Sequence, residues 1–251
     1  MYNNASGFET AASDYESNRP TYPVEAVRFI SERARLAPGR TVLDIGAGTG
    51  KLTRVLKGYG ARVIALDHAR GMLLKLRTIL PDVPAVLGSA EALPFPADSM
   101  NLVTVAQAFH WFSPREALSE MARVLVPYGE LALLWNIRDT RMDWVADLER
   151  LLKPHRGDSP EWMEENWASV IDSSEHFSPC ERWEWPWVRR IGLAEIIGSV
   201  KSRSYVALLA KQGQSQLISE VEVVLQRHGL DSDGVLTLPY TTVLYAAKKA
   251  P

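Results

Sequence analysis

Val42-Leu43-Asp44-Ile45-Gly46-Ala47-Gly48-Thr49-Gly50-Lys51-Leu52 reads as a buried strand running into a loop with glycine at every second position, then into a helix. Glycine admits positive φ and lets a ligand approach the backbone closely. The helix start adds unpaired N–H groups and a partial positive charge. A dinucleotide site prefers G-x-G-x-x-G around a pyrophosphate. Here the third glycine arrives one residue early, and Lys51 stands where that pattern has glycine. Asp44, just ahead of the loop, would repel a pyrophosphate and attract an ammonium. Asp67 closes the next apolar run, 21 residues after Gly46. An acid at that distance can accept hydrogen bonds from both ribose hydroxyls. A ligand with a ribose, an amino-acid group and no phosphate suits both acids, and S-adenosylmethionine has those parts. A plain structural turn would leave the three glycines, the leading strand and Asp44 as coincidence.

Outward from this loop the pattern alternates. Thr41–Ile45, Arg62–Asp67, Pro84–Gly88, Leu102–Ala108 and Leu131–Trp135 are nearly continuous apolar runs of strand length. Such runs suit strands covered on both faces, as in a parallel sheet. Lys51–Tyr59, Arg70–Leu80 and Pro114–Leu125 between them have helical character, the last through Ala117, Leu118, Met121, Ala122 and Leu125 on one face. Repeated strand, helix and strand with short connections predicts a doubly wound α/β sheet. A helix is expected over Val24–Leu36 before it. After residue 140, helices are expected over Trp144–Leu152, Glu161–Ile171 and Gln214–His228, the last stopped by Gly229. Glu181–Arg190 alternates at period two and Tyr240–Ala247 is β-rich. A loop is expected between Lys153 and Pro160. The absence of repeats and low-complexity linkers points to one domain over residues 1–251.

Composition narrows the function. The 251 residues are 46% hydrophobic and 23% charged, an ordinary globular balance. A net charge of −2, from 28 basic and 30 acidic residues, offers no general attraction to nucleic acid or an anionic membrane. One cysteine, Cys180, excludes an internal disulfide and a cysteine-rich metal cluster. The first residues lack the basic and apolar regions of a secretory signal, and runs such as Leu131–Trp135 fall far short of the ~20 residues that span a bilayer. A cytoplasmic location is expected. The five histidines show no ligand spacing, so no metal is expected.

The glycine run resembles motif I of the class I S-adenosylmethionine-dependent methyltransferases. Gly88-Ser89-Ala90-Glu91-Ala92-Leu93-Pro94-Phe95 is similar to the adenine-binding segment of methyltransferases related to the menaquinone and ubiquinone C-methylases. Ala106-Gln107-Ala108-Phe109-His110-Trp111-Phe112 and Glu120–Leu125 resemble the trans-aconitate methyltransferase-like, type 11 branch. So does the front, Phe8–Tyr15, Arg19-Pro20 and Tyr22-Pro23. The likeness covers most of residues 8–139 and is weaker in Ser202–Tyr205 and Leu238–Tyr240. It implies a Rossmann-like, mostly parallel seven-stranded α/β sheet with helical additions: a lid over 1–36, a cofactor core over 37–140, and substrate-side additions with the last two strands over 141–251.

The resemblance also implies roles. Asp44 and the backbone of Gly46, Ala47, Gly48 and Gly50 would hold the methionine part of S-adenosylmethionine, leaving S-adenosylhomocysteine as product. Asp67, with His68 and Met72 nearby, would take the ribose, and Ser89, Ala90 and Glu91 the adenine. Many relatives have aspartate at Ser89, which shifts that contact toward Glu91 or backbone. Pro127-Tyr128-Gly129 replaces the common Pro-Gly-Gly turn. Gln107 would lie near the sulfonium, and Tyr15, Arg19 and Tyr22 would close over the cofactor, Arg19 being suited to a carboxylate. His110 is the candidate catalytic residue, as base or substrate contact, with a packed, hydrogen-bonded histidine as the alternative. Trp111 and Phe112 would wall the acceptor pocket or belong to the core. Arg138 would hold an anionic substrate or pair with Asp139 or another acid. Trp144, with Trp162, makes the region after strand 5 aromatic enough to cover a hydrophobic or aromatic substrate, and Arg203 and Tyr205 are pocket candidates through the likeness alone. Trp183, Trp185 and Trp187 share a strand face and read as packing bulk rather than a cage, followed by solvated Arg189 and Arg190.

The expected activity is methyl transfer to a small molecule, at a carboxylate or hydroxyl oxygen, from a monomer or homodimer. Carbon methylation and a non-catalytic cofactor-binding module are the alternatives. NAD-dependent oxidoreduction is disfavoured by the glycine spacing and Asp44. Nucleic-acid methylation is disfavoured by the charge and by Ala-Gln-Ala-Phe-His standing where base-methylating enzymes have an Asn/Asp-Pro-Pro-aromatic loop. Protein acceptors stay open.

Overall fold

The computed structural model describes residues 7–160, 166–230 and 234–251. Among them, seven strands form one sheet in the order β3-β2-β1-β4-β5-β7-β6. The strands are β1 (Thr41–Ile45), β2 (Arg62–Asp67), β3 (Ala85–Leu87), β4 (Met100–Ala106), β5 (Leu125–Arg138), β6 (Glu181–Gly192) and β7 (Val235–Lys248). β1 pairs in parallel with β2 and β4, β2 with β3, and β4 with β5. Chain order reverses beside β1, which places the glycine loop at the switch point where such sheets bind ligands. The sheet is the expected mostly parallel α/β arrangement.

The chain divides into two compact units. One holds Thr21–Asn136, Pro160–Trp185 and Thr242–Pro251; the other holds Met1–Pro20, Ile137–Ser159 and Pro186–Thr241. The boundary falls within β5, β6 and β7. We refer to them as the sheet unit and the helical unit.

The sheet unit carries α2 (Val24–Arg33), α3 (Lys51–Lys57), α4 (Arg70–Ile79), α5 (Pro114–Val124) and α7 (Trp167–Asp172). Val42, Leu43, Ile45, Val63, Leu102 and Val103 are buried, as continuous apolar strands require. Residues 21–36, assigned to a lid from the sequence, pack here instead: Tyr22, Val27 and Ile30 share a core with Val42, Leu56 and Leu134. Arg33 fixes α2, bonding buried Glu130 at 2.7 Å and Glu181 at 2.9 Å. Burial pushes the Glu130 carboxyl up, against the pull of Arg33. Trp183 and Trp185 pack on Phe29 with ring centroids 4.9 and 5.5 Å away, which is the bulk-packing role. Cys180 is partly buried, and burial and then Asp172 push its thiol up to about 12.

The helical unit carries α1 (Phe8–Asn18), α6 (Asp143–Leu152), α8 (Leu193–Lys201), α9 (Ser204–Ala207) and α10 (Lys211–Arg227). Trp144, Leu148, Ile196, Val200, Val221 and Tyr240 belong to its core. α1 approaches α8 so closely that a Cβ on Gly198 would lie 2.3 Å from the Asn18 side chain. Arg189 is not solvated as expected: it donates to the Asn18 carbonyl and to Glu195. Trp187 stacks on Tyr240 at 4.7 Å. Gly229, at φ +80, ends α10 as expected. Residues 161–165, with Trp162, lie outside the described residues. No described helix is long and apolar enough to cross a membrane.

Candidate active site

The loop after β1 turns left-handed at each of its glycines, with φ +66 at Gly46, +58 at Gly48 and +87 at Gly50. Other residues adopt this region at a cost. At Gly46 space decides as well: a Cβ would lie 2.5 Å from the Ala108 Cβ beyond β4. The bare backbone here is a cradle that a side chain would fill.

Asp67 ends β2 and is buried, with both oxygens turned to backbone donors. Gly48 N–H reaches one oxygen at 2.7 Å and Ala69 N–H the other at 2.8 Å. Each carboxylate oxygen accepts more than one hydrogen bond, so capacity remains for a sugar diol. His68 Nδ1 stands 3.6 Å from Asp67. Burial raises the Asp67 pKa, opposed by those N–H groups and by His68. Asp44 is enclosed more completely. Thr53 Oγ1 donates to it at 2.6 Å and Thr104 Oγ1 at 2.8 Å. Burial, opposed by these hydroxyls and aided by Asp67, lifts its pKa to about 6.

Glu91 joins the third part of the site together. It accepts from Ser89 Oγ and from Ser113 N–H at 2.9 Å, tying the segment after β3 to the start of α5. Ala90 and Met72 are buried nearby in sequence and in α4 respectively. Gln107 closes β4 with φ +60, a strained setting for a residue other than glycine. Its side chain donates to the Asn136 carbonyl at 3.1 Å. His110 lies in the 3-10 turn Phe109–Trp111, where Trp135 Nε1 donates to its Nδ1 at 3.3 Å. Trp111 and Phe112 are partly exposed, whereas Phe109 is fully buried. Tyr22 belongs to the core of this unit.

The remaining candidates meet in the helical unit. Arg203 holds Glu149 through both terminal nitrogens, at 3.0 and 2.5 Å, and also donates to the Tyr205 hydroxyl at 2.9 Å. Arg138 bonds Glu149 at 2.9 Å and Ser199 Oγ at 2.7 Å. Asp139, its chain neighbour, binds Arg141 instead. Arg19 donates to Ser202 Oγ at 2.7 Å and lies over the Tyr15 ring at 5.7 Å. It meets no carboxylate among the described residues. Burial, then Arg138 and Arg203, lower the Arg19 pKa to about 10. Burial alone would raise Glu149, but Arg203 and Arg138 outweigh it and hold this carboxyl well below its usual range. Two guanidiniums thus share one carboxylate with a third, Arg19, close by, and among the described residues the buried Arg203 Nε and Trp144 Nε1 have no hydrogen-bond partner. Sequence reasoning missed Glu149 and Ser199 here, and Thr53, Thr104 and Trp135 in the sheet unit. All are partners chosen by the fold, with no motif of their own.

A switch-point glycine cradle with a buried acid at the end of β2 is the arrangement of an α/β protein whose carboxylate acceptor suits a sugar diol better than a diphosphate. The methyltransferase domain family matches residues 43–133. An uncharacterized methyltransferase of Mycobacterium tuberculosis is 38% identical over 244 residues, 97% of this chain and 96% of that protein. Partial likenesses are to a malonyl-[acyl-carrier protein] O-methyltransferase of Methylococcus capsulatus, 39% identical over 43% of each chain, and to a demethylmenaquinone methyltransferase of Renibacterium salmoninarum, 36% identical over 42% of this chain and 45% of that one. Among solved structures, a protein assigned as a type II methyltransferase from Anaeromyxobacter dehalogenans superposes with TM-score 0.67 at 22% identity, over 93% of this chain and 99% of that one. Phosphoethanolamine N-methyltransferase 2 of Haemonchus contortus, in complex with S-adenosyl-L-methionine, gives 0.57 at 16%, over 100% and 58%. The chain belongs to the methyltransferase family. It is a class I enzyme that uses S-adenosylmethionine.

Proposed function

We propose that the protein methylates an oxygen of a small anionic molecule, a carboxylate before a hydroxyl. The observation that carries this is the charge imbalance of one cluster in the helical unit, where Arg138 and Arg203 bond Glu149 and Arg19 lies close by without a carboxylate among the described residues. Guanidiniums are the side chains best shaped to hold a carboxylate. The partial likeness to an O-methyltransferase supports oxygen as the acceptor atom, and the likeness to a quinone methyltransferase supports carbon as the second reading. A carboxylate is already ionised and needs no base, whereas a carbon acid does.

Bound S-adenosylmethionine supplies an electrophilic methyl on a sulfonium. The chain's part is to hold and align. The Gly46–Gly50 backbone and Asp44 would receive the amino-acid end, Asp67 the ribose, and the segment 89–91 the adenine. In the sheet unit Trp111 and Phe112 are the candidates for lining the acceptor side, and in the helical unit Arg19, Arg138 and Arg203 are the candidates for holding a negative charge. Tyr205 and Trp144, buried beside them in the helical core, would shape that end.

Arg19→Met tests the reading, because removing this guanidinium strands no acid. A lost charged hydrogen bond is worth about 1.5–3 kcal/mol. The KM for carboxylate acceptors is expected to rise roughly tenfold to a hundredfold, with S-adenosylmethionine affinity unchanged by calorimetry. If affinity for S-adenosylmethionine falls and acceptor KM does not, Arg19 serves the cofactor's own carboxylate, and the anionic-acceptor reading fails.

Asp44 gives a pH test. Only its ionised form attracts an ammonium, and its pKa of about 6 lies above the unfolded value. Affinity for S-adenosylmethionine is therefore expected to increase as pH rises through about 6, measured by titration on both sides of that value. The same sign makes its ionisation cost stability over that interval, so Asp44→Asn should be the relatively more stable form at neutral pH. That variant should also show a flattened pH dependence of affinity.

A further inference from the structure

Trp135 sits at the end of the fully buried stretch of β5. Its indole stacks on Trp167 at 5.4 Å with 11° between planes, and meets the Tyr245 ring edge-on at 5.9 Å. With the ring held by these two neighbours, its N–H donates to Nδ1 of His110, 3.3 Å away. An indole nitrogen only donates. Nδ1 must then accept, so it carries no proton, and the proton of the neutral imidazole is on Nε2.

We propose that Trp135 is a positioning residue that fixes His110 as the Nε2–H tautomer, so that His110 offers a hydrogen-bond donor past the end of β4 and does not act as a general base. To become imidazolium, His110 would have to place an N–H on Nδ1, directly against the indole N–H. Two donors would then face each other in a partly buried setting, and the Trp135 hydrogen bond would be lost. A fixed donor has a use that a base lacks. It can orient an acceptor oxygen that is already negative, whereas a phenol or carbon acid would need its proton removed elsewhere. What the donor touches rests on the proposed methyl transfer to an anionic oxygen; the tautomer rests on the Trp135 geometry alone.

The test begins with the intact protein labelled with 15N at histidine and tryptophan, the His110 signals being those absent from His110→Gln. The expected spectrum shows Nδ1 unprotonated, Nε2 protonated, and a scalar coupling between Trp135 Nε1 and His110 Nδ1 across the hydrogen bond. A proton on Nδ1, or imidazolium at neutral pH, overturns the proposal whatever the activity. Trp135→Phe, which keeps an aromatic ring against Trp167, should lose the coupling and lower kcat while leaving affinity for S-adenosylmethionine unchanged. His110→Gln retains a side-chain N–H donor and should keep activity within about tenfold of the parent, with His110→Ala well below it. A general base contributes about 10²–10⁴-fold, so a Gln variant as poor as the Ala variant would assign the base role to His110 and refute ours. Were no acceptor ever found, the function above would fail while the spectrum still decided the tautomer.

Discussion

Truncating Glu149 to alanine is expected to destabilise the protein by about 3–5 kcal/mol, the range found when one partner of a buried ion pair is removed. The side chains are largely withdrawn from water: 10% exposed for Arg203, 13% for Arg138 and 25% for Glu149. Without the carboxylate, two guanidiniums face each other, with Arg19 adding a third positive charge. At roughly 2–4 °C per kcal/mol for a chain of this size, the thermal midpoint should fall by roughly 6–20 °C. Glu149→Gln keeps an acceptor oxygen and should lie between the parent and the alanine variant. Adding Arg203→Met to Glu149→Ala should recover part of the loss, because the stranded charge goes with it. The pH behaviour follows from the sign of the shift. Glu149 is held below its unfolded value, so its contribution is complete above the ordinary carboxylate range and fades only as pH falls toward the lowered value. A small change in thermal midpoint for Glu149→Ala would mean that water screens the cluster.

Asp67→Ala is expected to weaken S-adenosylmethionine binding by about a hundredfold or more. The carboxylate organises the Gly48 and Ala69 N–H groups, at 2.7 and 2.8 Å, and is the acceptor proposed for the ribose. Charge-assisted bonds of this kind contribute about 1.5–3 kcal/mol each. Asp67→Asn should be little better. Both oxygens receive a backbone N–H, so either orientation of the amide sets its NH₂ against one of them. Calorimetry with S-adenosylhomocysteine gives the measurement free of turnover. Affinity within about threefold of the parent would remove Asp67 from the cofactor site.

The sheet unit was legible because each of its signals is local. The β1, β2 and β4 segments are apolar on both faces, so their burial appears as unbroken Val, Leu and Ile, and the positive φ of Gly46, Gly48 and Gly50 is a requirement that glycine alone meets cheaply. β5 was read short because Pro127 and Tyr128 are exposed before its buried stretch begins. α8 escaped notice because its apolar residues sit around an internal glycine, which is there for the close passage of α1. Ion-pair partners were not legible at all. Arg138 has Asp139 beside it in sequence, yet bonds Glu149 on α6, while Asp139 takes Arg141. Which acid wins depends on where strand and helix direct each side chain, and sequence spacing does not record that.

The helical unit is assembled from three separated stretches, and the cluster draws on all of them: Arg19 from the first, Arg138 and Glu149 from the second, Arg203 from the third. Exchanging one stretch with a relative would import an arginine without its acid, or an acid without its arginines. Recombinant hybrids between such enzymes should therefore be viable when all three stretches come from one parent, and acceptor preference should be inherited as a block.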